Sequence, residues 1–289
     1  MVVQSSFGTH DGSFHADEVT ACALLCLFGR IDKEKVHRTR DPKILAQCEY
    51  VCDVGGVYDA RLRRFDHHQA DYRGSMSSAG MVLLYLREEG FLGDDLYDCF
   101  NTNLILGVDA HDIGQAKLEL GTASFSQIVS NFLPIEYGGP EEEMNLAFFQ
   151  ALDFVIGHLD RIRRRHAYTV QCKAMVQKAM AEGTNALLFD RPLPWMENFF
   201  ALGGAVHPAQ FVVMPSGVHW KLRGIPPTLS ERMQVRTPMP HEWAGLREEA
   251  LRKISGIPGA IFCHKGRFIS IWETKEDALR ALHIIMRRA

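Results

Sequence analysis

Four groups of histidine and aspartate in the first 115 residues have the chemistry to hold divalent cations. The first is His10-Asp-Gly-Ser-Phe-His15-Ala-Asp17-Glu18, and the second is Asp53, closing the apolar run Tyr-Val-Cys-Asp. The third is Asp66-His67-His68, and the fourth is Asp109-Ala-His-Asp112. Carboxylate oxygen suits hard divalent ions, while imidazole suits Mn, Zn, Co and Fe. Mixed His/Asp ligation without thiolate therefore points to Mn²⁺ or Mg²⁺ hydrolytic chemistry rather than to structural zinc. Taken singly, each group has a plainer reading as a hydrogen-bonded loop, a turn residue or a solvated turn. The set, in this order, points to a dinuclear site. Two cations ~3.5–4 Å apart can hold a bridging hydroxide and neutralise charge in an in-line displacement at phosphorus.

Each group falls where an extended run ends or a helical pattern begins. Residues 2–8, 35–39 and 50–54 read as strands, and 16–29 as a helix closed by Gly29. A helix over 77–90 has a serine cap and apolar residues at 81, 82, 85 and 86. A further helix over 94–106 precedes the polar segment 109–114. Strands alternating with helices predict βαβ units and a largely parallel sheet, whose ligand crevice lies beyond the carboxyl ends of the strands. The pattern loosens over 124–140 and then runs helically from 141 to about Gly183, long enough for two helices. Short strands at 186–189, 211–214, 219–223, 260–263 and 268–272, with helices near 243–254 and 275–288, read as a second domain. The division is a catalytic domain at 1–125, a helical connector at 126–185 and a smaller C-terminal α+β substrate-binding domain at 186–289. No internal repeat is present.

At 289 residues with 46% hydrophobic and 23% charged residues, the chain is that of an ordinary globular protein rather than a disordered or fibrous one. Lys+Arg 32 against Asp+Glu 35 gives a net charge of −3, which argues against coating long nucleic acid but leaves a short polyanion open. The sequence has no run of 18 apolar residues and no signal-like amino terminus, so a cytoplasmic protein without a membrane partner is the reading. The seven cysteines lack a C-x-x-C spacing and read as small buried hydrophobes under reducing conditions. The basic run Arg161-Ile-Arg-Arg-Arg165 reads as a solvated helix face, with a strand-tracking patch as the alternative.

The sequence resembles the DHH phosphoesterase superfamily, named for the motif standing here as Asp66-His67-His68. More closely, it resembles the melanocyte-proliferating-gene-one exonuclease family, also described as metal-dependent protein hydrolases. The carrying segments are 8–18, Arg38-Thr-Arg-Asp41, Asp53-Val-Gly-Gly-Val-Tyr-Asp59, Arg64-Phe-Asp-His-His-Gln69, Ser77-Ser-Ala-Gly80 and Asp109-Ala-His-Asp112. Trp220-Lys-Leu-Arg223, Pro240-His-Glu-Trp-Ala-Gly-Leu-Arg247 and Ser255-Gly-Ile-Pro-Gly259 extend it into the second domain, so it spans nearly the whole chain.

The resemblance implies a fold and a site. The fold is a DHH-type α/β domain with a largely parallel sheet, joined by a helical connector to the smaller α+β domain. One metal would be held by His10, His15 and Asp53, and the other by Asp17, Asp53, His67 and Asp109, with Asp53 bridging. His68 would face the substrate phosphate, and Asp66 would orient a ligand imidazole. The imidazole of His15 stands where superfamily members more often carry a carboxylate, which favours Mn²⁺, with Mg²⁺, Co²⁺ and Zn²⁺ as alternatives. Arg38 and Arg40 are candidates to stabilise charge on phosphorus, a surface ion pair with Asp41 being the other reading. His111 and Asp112 are candidate substrate contacts, as are Lys221 and Arg223, with His207, His264 and Lys265 weaker. Ile113 stands where the family tends to have Asn. Trp220 would stack a base or fill the core, and 203–207 faintly echoes a glycine-rich substrate loop. The activity expected is a 3′–5′ exonuclease on RNA or short single strands. The alternatives are a phosphohydrolase for pyrophosphate or nucleotides and a non-catalytic metal–nucleotide binding module. An oligomer is left open.

Overall fold

The order of strands explains how ligands distant in sequence reach one place. In a computed structural model, which describes residues 2–117, 119–136, 138–182 and 185–288, the chain forms two compact units, Met1–His166 and Ala167–Ala289. The first begins with β1 (Val3–Thr9), α1 (Ala16–Leu27), β2 (Val36–Arg38), α2 (Pro42–Leu45) and β3 (Cys48–Cys52). A two-residue pair, β4 (Tyr58–Asp59) and β5 (Arg64–Phe65), follows, then α3 (Ser78–Glu88), α4 (Asp94–Phe100), α5 (Leu106–Asp112), α6 (Phe125–Ser130) and α7 (Glu141–Ala181). The sheet order is β2-β1-β3-β5-β4. β1 pairs in parallel with β2 and β3, and β3 with β5, leaving only β4 antiparallel. Parallel pairing puts the ends of β1, β3 and β5 on one edge, and His10, Asp53 and Asp66 are the next residues along each strand.

The sheet and helices close over Phe7, Phe14, Leu24, Leu25, Tyr50, Phe65 and Phe148, all fully buried. Full burial of such a side chain stabilises the fold by roughly 1.5–3 kcal/mol, so the edge that carries the polar residues is fixed by the apolar ones behind it. Helix α1 starts at His15, whose backbone N–H donates to both carboxylate oxygens of Glu18 at 2.8 and 3.0 Å. This reciprocal use of the third helical residue satisfies an otherwise orphaned donor.

Two departures from the sequence reading bear on the site. The helical path expected to end near 106 continues: α4 passes through a π-turn at Asn101–Ile105 into α5, which ends at Ile113 and Gly114. Asp109 and Asp112 therefore sit one turn apart on a helix rather than on a polar loop. The hairpin of β4 and β5 was not expected, because two-residue strands leave no periodic signal. The long helix is single, not two; Gly183, its expected end, lies outside the described residues. The connector expected over 126–185 thus contains α6 and α7, the latter shared between the two units.

The second unit adds β6 (Ala186–Leu188), α8 (Met196–Ala201), β7 (Phe211–Ser216), β8 (His219–Gly224), α9 (Glu248–Ser255), β9 (Ala260–Cys263), β10 (Ile269–Trp272) and α10 (Lys275–Met286). Its sheet runs β6-β7-β8-β10-β9, with β6 and β7 parallel and the rest antiparallel. One face packs on α9 and α10 around Trp243 and Trp272, and the other on α8 and the end of α7 around Phe199. Among the described residues, no helix is long and apolar enough to cross a membrane.

Candidate metal centre

Asp53 is the hub of the site. Its Oδ2 lies 3.2 Å from His10 Nε2 and 4.0 Å from His15 Nδ1, and its Oδ1 lies 3.4 Å from His68 Nδ1 and 3.8 Å from His67 Nδ1. The residue adopts a left-handed backbone, φ 58°, followed by Gly55 at 99° and Gly56 at 68°. That corner turns the chain so that the Gly56 N–H donates to Asp66 Oδ2 at 2.6 Å. Asp66 Oδ1 in turn accepts from the His68 backbone at 3.1 Å and bonds the His68 ring at 2.8 Å. The imidazole that Asp66 orients is thus that of His68, whose side chain is 61% exposed. His68 stacks on His67, with ring centroids 4.3 Å apart.

Three ligand groups meet here, each with donor atoms within 4.8 Å of one another: His10, His15, Glu18 and Asp53; Asp53, Asp66, His67 and His68; and His15, Asp17 and Asp112. All the sequence-expected ligands except Asp109 are among them. Asp109 is buried under α3, where its Oδ1 accepts from Ser77 N–H at 3.1 Å, Ser77 O–H at 2.8 Å and Gly80 N–H at 3.0 Å. A Cβ at Gly80 would collide with that carboxylate. Asp112, expected as a substrate contact, instead lies 3.0 Å from His67 Nε2. Glu18 was not among the expected ligands, yet it is fully buried 3.3 Å from His10 Nε2. Its signal was available in the sequence, since His15-Ala-Asp-Glu18 has the spacing of a helix-start box.

The electrostatics of these groups are strongly coupled. Burial opposes protonation of His10, but Asp53 and Glu18 outweigh it and push its pKa up to about 10. Burial would raise the Asp53 carboxyl, yet His10 and His15 hold it well below the usual carboxylate range. Asp112 raises His67 against the effect of burial. Asp17 moves the other way: burial, with the charges of Asp53, Glu18 and Asp112, lifts its carboxyl well above its ordinary value. Neither Asp17 oxygen has a hydrogen-bond partner, and Asp53 Oδ1 and His67 Nδ1 are also buried without one. Burying such groups unpaired is costly, and buried charges are normally paired or on a metal. The residues present therefore fit divalent cations: their free lone pairs face one another in a site with an excess of carboxylate.

The arginines behave differently from expectation. Arg38 is buried, with its guanidinium donating to Asn145 Oδ1 at 2.8 Å and to the Gly12 carbonyl. It lies 4.9 Å from the Phe148 ring centre and 5.7 Å from that of Phe14. Its contacts brace the loop between His10 and His15 rather than face a phosphate. Arg40 is exposed, and its Nε lies 3.1 Å from Asp11, not Asp41. It borders a cavity of about 630 Å³ also lined by His10, His15, Asp53, Gly56 and His68. His111 is half-buried on α5 and belongs to none of the ligand groups.

The profile of the MYG1 exonuclease family, described as Uncharacterised protein family (UPF0160), matches residues 6–284. The chain belongs to that family. The MYG1 protein of Chlamydia trachomatis is 52% identical over 288 residues, covering 100% of this chain and 99% of that protein. The MYG1 exonuclease of Homo sapiens is 33% identical over 314 residues, 94% of this chain and 83% of that protein. Family membership, as the quoted segments implied, makes the chain a hydrolase of the nuclease and phosphoesterase class. Among solved structures, RecJ in complex with Mn²⁺ from Thermus thermophilus is 15% identical with a TM-score of 0.27. This chain spans about half of that one, covering 52% of it, and a likeness so weak decides nothing further.

In the second unit, Lys221 and Arg223 point to one face of β8, and burial lowers the pKa of both. Arg223 donates to the Arg232 carbonyl at 3.3 Å, and its Nε is buried without a partner. Trp220 packs against the core. His207 is tied to the Met180 carbonyl at 3.0 Å, and Arg236 brackets the carbonyls of Gly204 and His207, so the glycine-rich stretch 203–207 is braced internally. Arg163 and Arg164 pair with Asp160, as a solvated helix face would.

Proposed function

We propose that the chain is a divalent-metal-dependent phosphodiesterase, acting as a 3′–5′ exonuclease on RNA or short single strands. The observation carrying this reading is the convergence of His10, His15, Asp17, Asp53, His67 and Asp112 on one sheet edge, with buried lone pairs left free. Glu18 joins His10 and Asp53 as a further candidate ligand. Two bound ions, Mn²⁺ foremost, would supply charge neutralisation and an activated water for in-line attack at phosphorus. Asp53, placed between both histidine groups, suits the bridging position. Asp109 fixes the start of α3 beside its neighbour on α5, a positioning role. His68, oriented by Asp66 and open to the cavity, is placed to give a proton to the leaving oxygen. Arg40, which borders the cavity although it pairs with Asp11, is proposed as a phosphate contact there. Lys221 and Arg223 are proposed as substrate contacts of the second unit taken by itself, where burial weighs on both cations. The exonuclease names of the mammalian relatives support this reading of the substrate.

The test is incubation of a 5′-labelled oligoribonucleotide with the protein and Mn²⁺, using Asp53→Asn and His67→Ala as controls. Stepwise shortening from the 3′ end, lost in both variants, is expected. Release of phosphate from pyrophosphate with no shortening across Mn²⁺, Mg²⁺, Co²⁺ and Zn²⁺ would overturn the exonuclease reading in favour of a small-molecule phosphohydrolase.

A further inference from the structure

Beside the cavity at Asp53 lies a second groove of about 500 Å³, and Gly56 borders both. Its walls include Tyr58, Gln69, Tyr72 and Arg73. None of these is needed to hold a cation, and the proposed chemistry does not use them. Tyr58 and Tyr72 stand edge to face, with centroids 6.2 Å apart at 87°. Tyr72 also lies 6.5 Å from the ring of His67, so the aromatic pair begins one ring away from the ligand cluster.

The groove is held open by specific contacts. Tyr72 donates its hydroxyl to the Met76 carbonyl at 2.8 Å. Gly74 allows that placement, since a Cβ there would collide with the hydroxyl. Arg73 ties the loop by donating to the carbonyls of Ala70 and Tyr72, both at 2.8 Å, while remaining exposed at the rim with Asp71. Gln69 is the unexplained group. Its Oε1 is buried with no partner, and the residue lines the groove. A buried carboxamide oxygen left unpaired is costly unless a ligand completes it.

We infer that this groove is a nucleobase subsite, taking the base of the nucleotide whose phosphate occupies the Asp53 cavity. Tyrosine faces stack bases with little regard to sequence, and a carboxamide pairs with a donor–acceptor edge such as that of adenine. The groove adjoins the phosphate position through Gly56 and His67, as the base of the same nucleotide must. The inference rests on the phosphodiesterase reading for its phosphate, and its test separates the two.

The probes are the p-nitrophenyl ester of adenosine 5′-phosphate, which carries a base, and methyl p-nitrophenyl phosphate, which does not. Both are followed with Mn²⁺ by p-nitrophenolate release, and adenosine 5′-monophosphate binding is measured in parallel by calorimetry. The ratio of kcat/KM for the nucleoside ester to that for the methyl ester is expected to fall about 10-fold in Gln69→Leu and in Tyr72→Leu. Adenosine 5′-monophosphate should bind correspondingly more weakly. A ratio unchanged in the apolar Gln69→Leu, which keeps the size of the side chain, overturns the subsite whatever Tyr72→Leu does to the loop. Should neither ester turn over, the phosphodiesterase reading fails, while weaker nucleotide binding by the two variants would still support the subsite and unaltered binding would overturn it.

Discussion

Replacing Asp17 with asparagine should stabilise the metal-free protein and weaken its response to metal. Both Asp17 oxygens are buried and unpartnered, and three further carboxylates act on them. A buried polar group without a partner costs about 1–3 kcal/mol, and more when charged. Asparagine keeps the shape, removes the charge and offers an NH₂ donor to the surrounding carboxylates, so a gain of about 1–3 kcal/mol is expected in EDTA at pH 8. At about 2–4 °C per kcal/mol for a domain of 150–250 residues, the melting transition should rise by several degrees. Because the folded-state pKa is raised, the native state binds the extra proton. The wild type therefore loses stability as pH rises from about 4 toward that folded value, and the variant does not. The gain should vanish near pH 4 and grow with pH. With Mn²⁺ at 1,000 times its dissociation constant the wild type gains about 4.1 kcal/mol, whereas a ligand loss that weakens binding 100-fold leaves the variant about 1.4 kcal/mol. Scanning calorimetry with EDTA and with Mn²⁺ measures both effects. A variant that melts below the wild type in EDTA at pH 8, or whose advantage is flat with pH, refutes the reasoning.

Three other outcomes follow from the same geometry. Mn²⁺ binding at pH 7.5 should release protons, because His10, at about 10, is protonated in the metal-free site and must lose its proton to ligate; titration calorimetry in buffers of different ionisation enthalpy measures this, and no release contradicts it. Gly80→Ala should cost about 1–3 kcal/mol in urea unfolding, because the methyl meets the Asp109 carboxylate. Gly107→Ala on α5, where a Cβ meets nothing within 4 Å, should be stabilising by roughly 0.5–1 kcal/mol, and equal effects at the two glycines would dismiss the close-approach argument. His68→Gln should lower kcat on the oligoribonucleotide by about 10²–10⁴ while Mn²⁺ affinity stays within a few-fold; a comparable loss of metal would make His68 a ligand.

What was legible in the sequence is what repeats or terminates visibly. β1, α1, β3, α3 and most of the second unit lie within a few residues of their expected bounds, because each pairs a clear apolar period with a glycine or polar stop. The convergence of His10 and Asp53 followed from parallel strands alone, whereas that of Asp66 rests on β5, too short to leave a periodic signal. Three features were hidden for physical reasons. The helix through Asp109 and Asp112 carries Gly107 just past the expected end at 106 and continues to Gly114, its polar surface hiding its periodicity, and a one-turn difference in phase separates a cap from a ligand. Glu18 fell in a familiar helix-start spacing, but its double use near His10 needs the three-dimensional path of the loop. Arg38 is charged and stands near the motifs, so only its burial between Phe14 and Phe148 distinguishes a brace from a substrate contact.

The backbone at Asp53 changes what counts as a conservative replacement there. A left-handed residue costs most L-amino acids about 1–2 kcal/mol, whereas aspartate and asparagine tolerate it through their short polar side chains. Glutamate would keep the charge and lengthen the reach while losing that tolerance at the left-handed φ of 58°. Position 53 thus selects for backbone shape as well as for a carboxylate. Tolerance to mutation should follow side-chain length and conformational permissiveness there, with asparagine better accommodated in the fold than glutamate despite its lost charge.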